Sequence, residues 1–168
     1  MPNFFYLCAM KVAFTGHREF LATEISRLEG VIRQLYSEGY TTFLCGMAAG
    51  FDLAAAQCVV ALKSECTEIE LECIIPFKGH IDTLSREDRV RYRSICAAAD
   101  RVVTLSDIRH EKVYFDRNDY LIDNADAVIC YYSGRKRSGT GYTVTRALKK
   151  CLRVVNIYAD GVQIQFFG

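Results

Sequence analysis

The sequence predicts an α/β chain: a mostly parallel sheet covered by helices on both faces, with an antiparallel strand at its C-terminal edge. Three observations carry this. Runs rich in β-branched and aromatic residues alternate with runs whose apolar residues fall at helical spacing, the succession of strands and crossover helices. Two strand-to-helix junctions, 45–52 and 138–143, are rich in glycine, alanine and threonine. Such residues let the backbone turn sharply off a sheet and leave a helix N-terminus open. Beyond Tyr158 the pattern changes: Asp160-Gly161 is a hairpin signal, and Val162, Ile164 and Phe166 alternate with Gln163 and Gln165.

Residues 11–15 form the first strand, which ends in Gly16-His17-Arg18. The next helix carries Ile25, Leu28, Ile32 and Leu35 on one face and stops at Glu38-Gly39, glycine being a favoured terminator. Tyr40–Cys45 is the second strand, and 53–62, almost all alanine and aliphatic residues, is the buried helix after it. A third strand over 69–75 ends at Pro76. Residues 77–85 are a loop whose Ser85 caps a helix with Glu87 and Asp88 in its first turn and Val90, Ile95 and Ala98 along its apolar face. Residues 101–105 are the fourth strand, 106–114 are irregular, and 116–124 form a helix. The fifth strand is 127–132, followed by a loop over 133–141 with Gly134, Gly139 and Gly141, a helix to Lys150, and a sixth strand over 154–158. The first nine residues read either as an extension or as a partner for the sheet edge. At 168 residues a single domain is expected.

Hydrophobic residues make up 51% of the chain, which excludes disorder. Basic and acidic side chains number 21 and 20, so the net charge of +1 argues against charge-driven nucleic-acid binding. Among eight cysteines no CxxC pair occurs, and the histidines are His17, His80 and His110 alone, so neither a metal site nor a cofactor is expected. Cys45, Cys73 and Cys130 fall in strand-like runs and Cys58, Cys96 and Cys151 in helix-like ones. They read as free, buried thiols acting as small hydrophobes in a reducing cytoplasm. The apolar run 4–9 is too short to span a bilayer, and no signal peptide is visible.

In a parallel sheet, ligands bind outside the carboxyl ends of the strands. Four stretches should meet there: Gly16 to Arg18; the loop with Gly46, Gly50 and Asp52; Arg117-Asn118; and 138–143, where Gly139, Thr140 and Thr143 repeat the design of the earlier loop. Two helix N-termini facing one crevice suit phosphate groups. Neither loop is a P-loop, since no Gly-Lys-Ser/Thr closes it, and the first strand lacks the dinucleotide GxGxxG. Individual roles stay open. Arg18 is either a bidentate phosphate ligand or part of a structural ion pair. Asp52 serves its helix dipole or a ribose hydroxyl. Arg117-Asn118 anchors a ligand or caps its helix. His17 is read as making a local hydrogen bond, and Arg135-Lys136-Arg137 as a solvated flap.

Thr15-Gly16-His17-Arg18, the segment 45–52, Ile75-Pro76-Phe77, Phe115-Asp116-Arg117-Asn118 and the segment 138–143 occur in the order seen in YpsA-like proteins. On these motifs the chain resembles the SLOG superfamily, which also holds the DNA-processing protein DprA and the LOG phosphoribohydrolases. The resemblance covers roughly residues 11–158. It implies a Rossmann-like three-layer fold, a nucleotide or ADP-ribose-like ligand, and a site lined by Gly16, Arg18, Gly46, Gly50, Asp52, Arg117, Asn118, Gly139, Thr140 and Thr143. A homodimer is implied as well. LOG enzymes carry a glutamate where Thr143 stands, which removes the natural carboxylate for glycosidic cleavage and leaves Asp52 and Asp126 as substitutes. A cytoplasmic binding or sensor domain is therefore expected ahead of a phosphoribohydrolase. A single-strand DNA binder like the DprA core ranks third, because no basic-aromatic stripe is visible.

Overall fold

The computed structural model describes residues 9–158 and 163–165. The strands are β1 (Met10–Gly16), β2 (Tyr40–Cys45), β3 (Glu70–Ile75), β4 (Arg101–Thr104), β5 (Ala127–Tyr131), β6 (Arg153–Asn156) and β7 (Gln163–Gln165). They make one sheet in the order β4-β3-β2-β1-β5-β6-β7. Every pairing from β4 to β6 is parallel, and β7 runs antiparallel to β6 with Val155 opposite Ile164. The expected antiparallel tail strand is thus present over its central three residues. Asp160-Gly161, Val162 and Phe166 lie outside the described residues, as do the first eight.

Five helices link the described strands: α1 (Ile25–Ser37), α2 (Phe51–Leu62), α3 (Arg86–Ala98), α4 (Val113–Asp123) and α5 (Gly139–Lys149). Period-two alternation along the strands sorts their side chains between two cores. Val12, Phe14, Phe43, Leu71 and Ile129 pack with α1, α2 and α3, through residues such as Leu28, Ile32, Val59 and Ile95. Ala13, Leu44, Ile74 and Val128 face α4 and α5, through Leu121, Ile122, Val144 and Ala147. The result is the three-layer, Rossmann-like α/β architecture.

Four details differ from the sequence reading. Val90 is exposed, and Tyr92 and Ile95 are the buried residues of α3, because neighbouring elements cover only part of that helix. The helix α4 starts at Val113, which sets Arg117 and Asn118 in its second turn, so they cannot cap it. The helix α5 starts at Gly139, one residue after its Ser138 cap, so Thr140 and Gly141 are helical rather than loop. Cys151 sits past the end of α5 with a left-handed φ of 58°, exposed rather than buried in a helix.

The chain turns back at β1. The strands β2, β3 and β4 are laid down successively on one side, and β5 and β6 on the other. The loops leaving β1 and β5 therefore diverge and open a crevice at the carboxyl rim.

Candidate functional site

A cleft of about 1070 Å³ occupies that rim, at the upper end of the roughly 300–1,000 Å³ typical of small-molecule sites. Loops after β1, β2, β3, β4 and β5 all contribute walls. Of the residues singled out in the sequence, Gly16, Arg18, Asp52, Arg117, Asn118, Gly139 and Thr140 line it, while Gly46, Gly50 and Thr143 do not.

Those three act behind the wall. At Gly50, φ is +82° and an added Cβ would stand 2.1 Å from the Arg18 carbonyl oxygen. Only glycine allows the β1 and β2 loops to cross so closely. An added Cβ at Gly46 would lie 2.9 Å from Cδ and Nε of Arg117. Thr143 is fully buried and its hydroxyl donates to the Gly139 carbonyl at 2.9 Å, one turn back in α5. It therefore has no donor to offer a ligand.

Beneath the β2 loop lies a buried pair of opposite charges. Arg117, 8% exposed, donates from Nη1 to the Gly46 carbonyl at 3.1 Å and from Nε and Nη2 to Asn118 Oδ1 at 3.2 and 3.1 Å. Its guanidinium also stacks 5.4 Å from the Tyr114 ring centre. Arg117 thus splints the loop. Asp52 is buried too, and its carboxylate accepts the Ala48 N–H at 3.2 Å. Burial raises its pKa to about 6, against the opposing pull of the Arg117 charge and the Ala48 N–H. The Phe51 N–H goes to the His17 carbonyl at 3.2 Å, and the Met47 N–H to Cys45 Sγ at 3.4 Å. Met47 is itself held at φ 60°, a strained state for a bulky side chain. Three N–H groups of this loop, those of Met47, Ala48 and Phe51, are thus engaged internally.

The β5 end is different. Ser138 caps α5, its hydroxyl accepting the Gly141 N–H at 3.0 Å, and Tyr142 N–H bonds the Ser138 carbonyl. The N–H groups of Gly139 and Thr140 have no partner among the described residues and belong to the cleft wall. Arg18 is exposed and makes no ion pair among the described residues, so the structural reading of this arginine falls away. Arg135 of the basic run also lines the cleft. His17 makes the expected local bond: Ser133 donates its N–H to Nε2 at 3.0 Å, which puts the ring proton on Nδ1. Burial, then Arg135, lowers its pKa.

The loop after β3 was not picked out as part of the site, although every loop leaving a parallel strand reaches the same rim. It contributes Phe77 and His80, the loop after β4 adds Arg109, and the first turn of α4 adds Tyr114. Among the described residues no group of three or more His, Cys, Asp or Glu side chains is arranged to hold a metal ion. Asp126 is far from this rim: its carboxylate accepts the Lys11 N–H at 2.8 Å, at the amino end of the sheet. It cannot serve the cleft.

The family model described as the YspA SLOG family (YpsA) matches residues 12–160. The SPbeta prophage-derived protein YoqJ of Bacillus subtilis is 30% identical over 139 residues, 75% of this chain and 81% of YoqJ. A UPF0398 protein of Staphylococcus saprophyticus is 29% identical over 134 residues, 72% of this chain and 71% of its own length. Among solved structures, DNA processing protein A of Helicobacter pylori, described with a single-stranded DNA binding mode, superposes with a TM-score of 0.61 at 18% identity, over 86% of this chain and 63% of that one. At that identity the likeness concerns the fold.

Proposed function

The chain belongs to the YspA SLOG family, and from that premise we propose that it is a cytoplasmic binding or sensor domain for a nucleotide or nucleotide-derived ligand, ADP-ribose-like in kind, held in the rim cleft. The observation that carries this is the convergence of unspent anion donors: the Gly139 and Thr140 N–H groups at the start of α5, with Arg18 and Arg135 on the same cleft. A helix N-terminus and two guanidinium groups with no ion-pair partner among the described residues favour phosphate oxygens. We assign the phosphate end to α5 rather than to the β2 loop, because three of that loop's N–H donors are engaged and its Asp52 would repel an anion when ionised.

The test is calorimetric titration with ADP-ribose and AMP. Arg18→Ala should weaken binding by about tenfold or more. Gly139→Val should abolish it while leaving the fold intact, since the nearest atom to an added Cβ there is Asn118 Nδ2 at 3.8 Å. Unchanged affinity in both variants would move the ligand elsewhere. Turnover is not part of the proposal. Thr143 bonds back into its own helix, and Asp52, half-titrated near pH 6, is the carboxylate left under the glycine loops. Incubation with AMP should release no free adenine, and robust release that disappears in Asp52→Asn would make the protein a phosphoribohydrolase instead.

A second reading, single-stranded DNA, draws on the exposed Arg135-Lys136-Arg137 run at the mouth of the cleft and on the fold shared with DNA processing protein A. Filter binding across salt concentrations separates the two, because phosphate-backbone binding falls steeply with salt.

A further inference from the structure

Opposite the start of α5, the cleft ends in a corner built from the loops after β3 and β4 and the first turns of α4. Phe77, His80 and Tyr114 meet there in edge-on pairs: Phe77–His80 at 5.6 Å between ring centres, Phe77–Tyr114 at 6.2 Å and His80–Tyr114 at 6.2 Å. All three line the cleft. Guanidinium groups complete the corner, Arg109 at 5.6 Å from the Phe77 ring centre and Arg117 at 5.4 Å from that of Tyr114.

His80 is the unusual member. It is 3% exposed, and its Nδ1 has no hydrogen-bond partner among the described residues. Its carbonyl accepts the Thr83 hydroxyl and its backbone N–H bonds the Phe77 carbonyl, while among the described residues the ring packs against aromatic neighbours, Tyr92 included. A buried ring nitrogen left without a partner is costly, and a ligand reaching the ring can offset that cost. Burial, together with the charges of Arg117, Arg109 and Arg18, pushes the His80 pKa down to about 4, so the ring is neutral at physiological pH. A neutral imidazole presents one donor and one acceptor. The surrounding guanidinium groups disfavour a cationic ligand and tolerate a neutral, flat one.

We propose that this corner is the nucleobase subsite of the cleft, taking an adenine-type base that stacks on the half-buried Tyr114 ring, with Phe77 behind it, and hydrogen-bonds to the His80 ring. Aromatic and guanidinium planes are the usual platforms for bases, and the amine beside a ring nitrogen on adenine matches either imidazole tautomer. The proposal rests on the nucleotide reading of the cleft and adds its polarity: phosphate at the start of α5, base between the β3 and β4 loops.

The experiment compares AMP, ribose 5-phosphate and adenosine by calorimetry on the full chain. The wild type should bind AMP about tenfold or more tighter than ribose 5-phosphate. His80→Phe, which keeps an aromatic ring without nitrogens, and Tyr114→Leu, at a half-buried position, should each bring AMP down towards ribose 5-phosphate while leaving the latter unchanged. A wild type that binds the two phosphates equally, or variants that both keep the full preference for AMP, would overturn the subsite and leave the phosphate reading standing. Adenosine binding that both variants weaken, with ribose 5-phosphate not bound at all, would uphold the subsite and remove the phosphate reading. Binding of none of the three would remove both.

Discussion

Asp52 and Arg117 show how single residues near a site can look like ligand contacts and carry structure instead. Arg117 spends its Nε, Nη1 and Nη2 groups on Gly46 and Asn118, and a Cβ at Gly46 would strike it. Gly46→Val is therefore a stability lesion rather than a clean test of binding. Asp52 has a measurable signature. Its folded pKa, about 6, lies above the ordinary aspartate value of 3.8. Between those two values the folded state holds a proton that the unfolded state has lost, so the Asp52 contribution to stability is greatest at low pH and falls as pH rises through 6. At neutral pH the ionised, buried carboxylate costs on the order of 3 kcal/mol. Asp52→Asn should be the more stable protein at pH 8, and the gap to wild type should close as pH falls to 4 in denaturant titrations. His80 and His17, with lowered pKa values, lose stability towards acid in both proteins and cancel from that difference. Glycine positions separate in the same way. Gly50→Ala should cost more than about 3 kcal/mol, through its left-handed φ and the Arg18 backbone. Gly139→Ala should stay within about 1 kcal/mol of wild type.

At the scale of elements, strand and helix existence was legible because both signals are local. Runs such as Tyr40–Cys45 are rich in β-branched and aromatic residues, and Leu28, Ile32 and Leu35 recur with helical period. Boundaries slipped where a helix start lacked a cap to announce it. No side chain caps α4, and its first two residues lie inside a segment that reads as irregular. Site residues were legible as types but not as partners. Nothing in the sequence says that the Thr143 hydroxyl is taken by Gly139, or that the loop after β3 folds His80 under Phe77. The end of α5 carries a further element-scale prediction. Cys151 N–H bonds the Leu148 carbonyl at 3.0 Å and Leu152 N–H the Ala147 carbonyl at 3.1 Å, the double hydrogen bond of a Schellman turn. Its left-handed residue is usually glycine, and here it is an exposed cysteine at φ 58°. Cys151→Gly should raise stability by about 1 kcal/mol, since it relieves the left-handed strain and gives up no buried contact. A lower unfolding midpoint in denaturant would contradict this.

At the scale of the whole molecule, the sheet order divides the protein into a binding rim and a structural rim. The cleft draws on loops at the carboxyl ends of five strands, whereas the amino ends are closed by contacts such as Asp126 to Lys11 and the ion pair of Arg153 with Glu38. A ligand that bridges the β3, β4 and β5 loops adds contacts to those already joining the first two, such as Lys78 N–H to the Ser106 carbonyl at 2.9 Å and the Phe77–Tyr114 ring pair. Binding should therefore stabilise the protein by about 2.7 kcal/mol at a ligand concentration 100 times Kd. The slowing of hydrogen exchange should be uneven. Amides in 16–20, 77–85, 109–118 and 135–141 should gain protection, and those at the opposite rim, in 37–40 and 150–153, should change only as much as global stability does. Exchange measured with and without ADP-ribose reads both regions in one experiment. Protection that rises equally at the two rims would mean that the ligand stabilises the fold without seating between these loops. Protection that rises at the amino rim alone would place the site on the other side of the sheet.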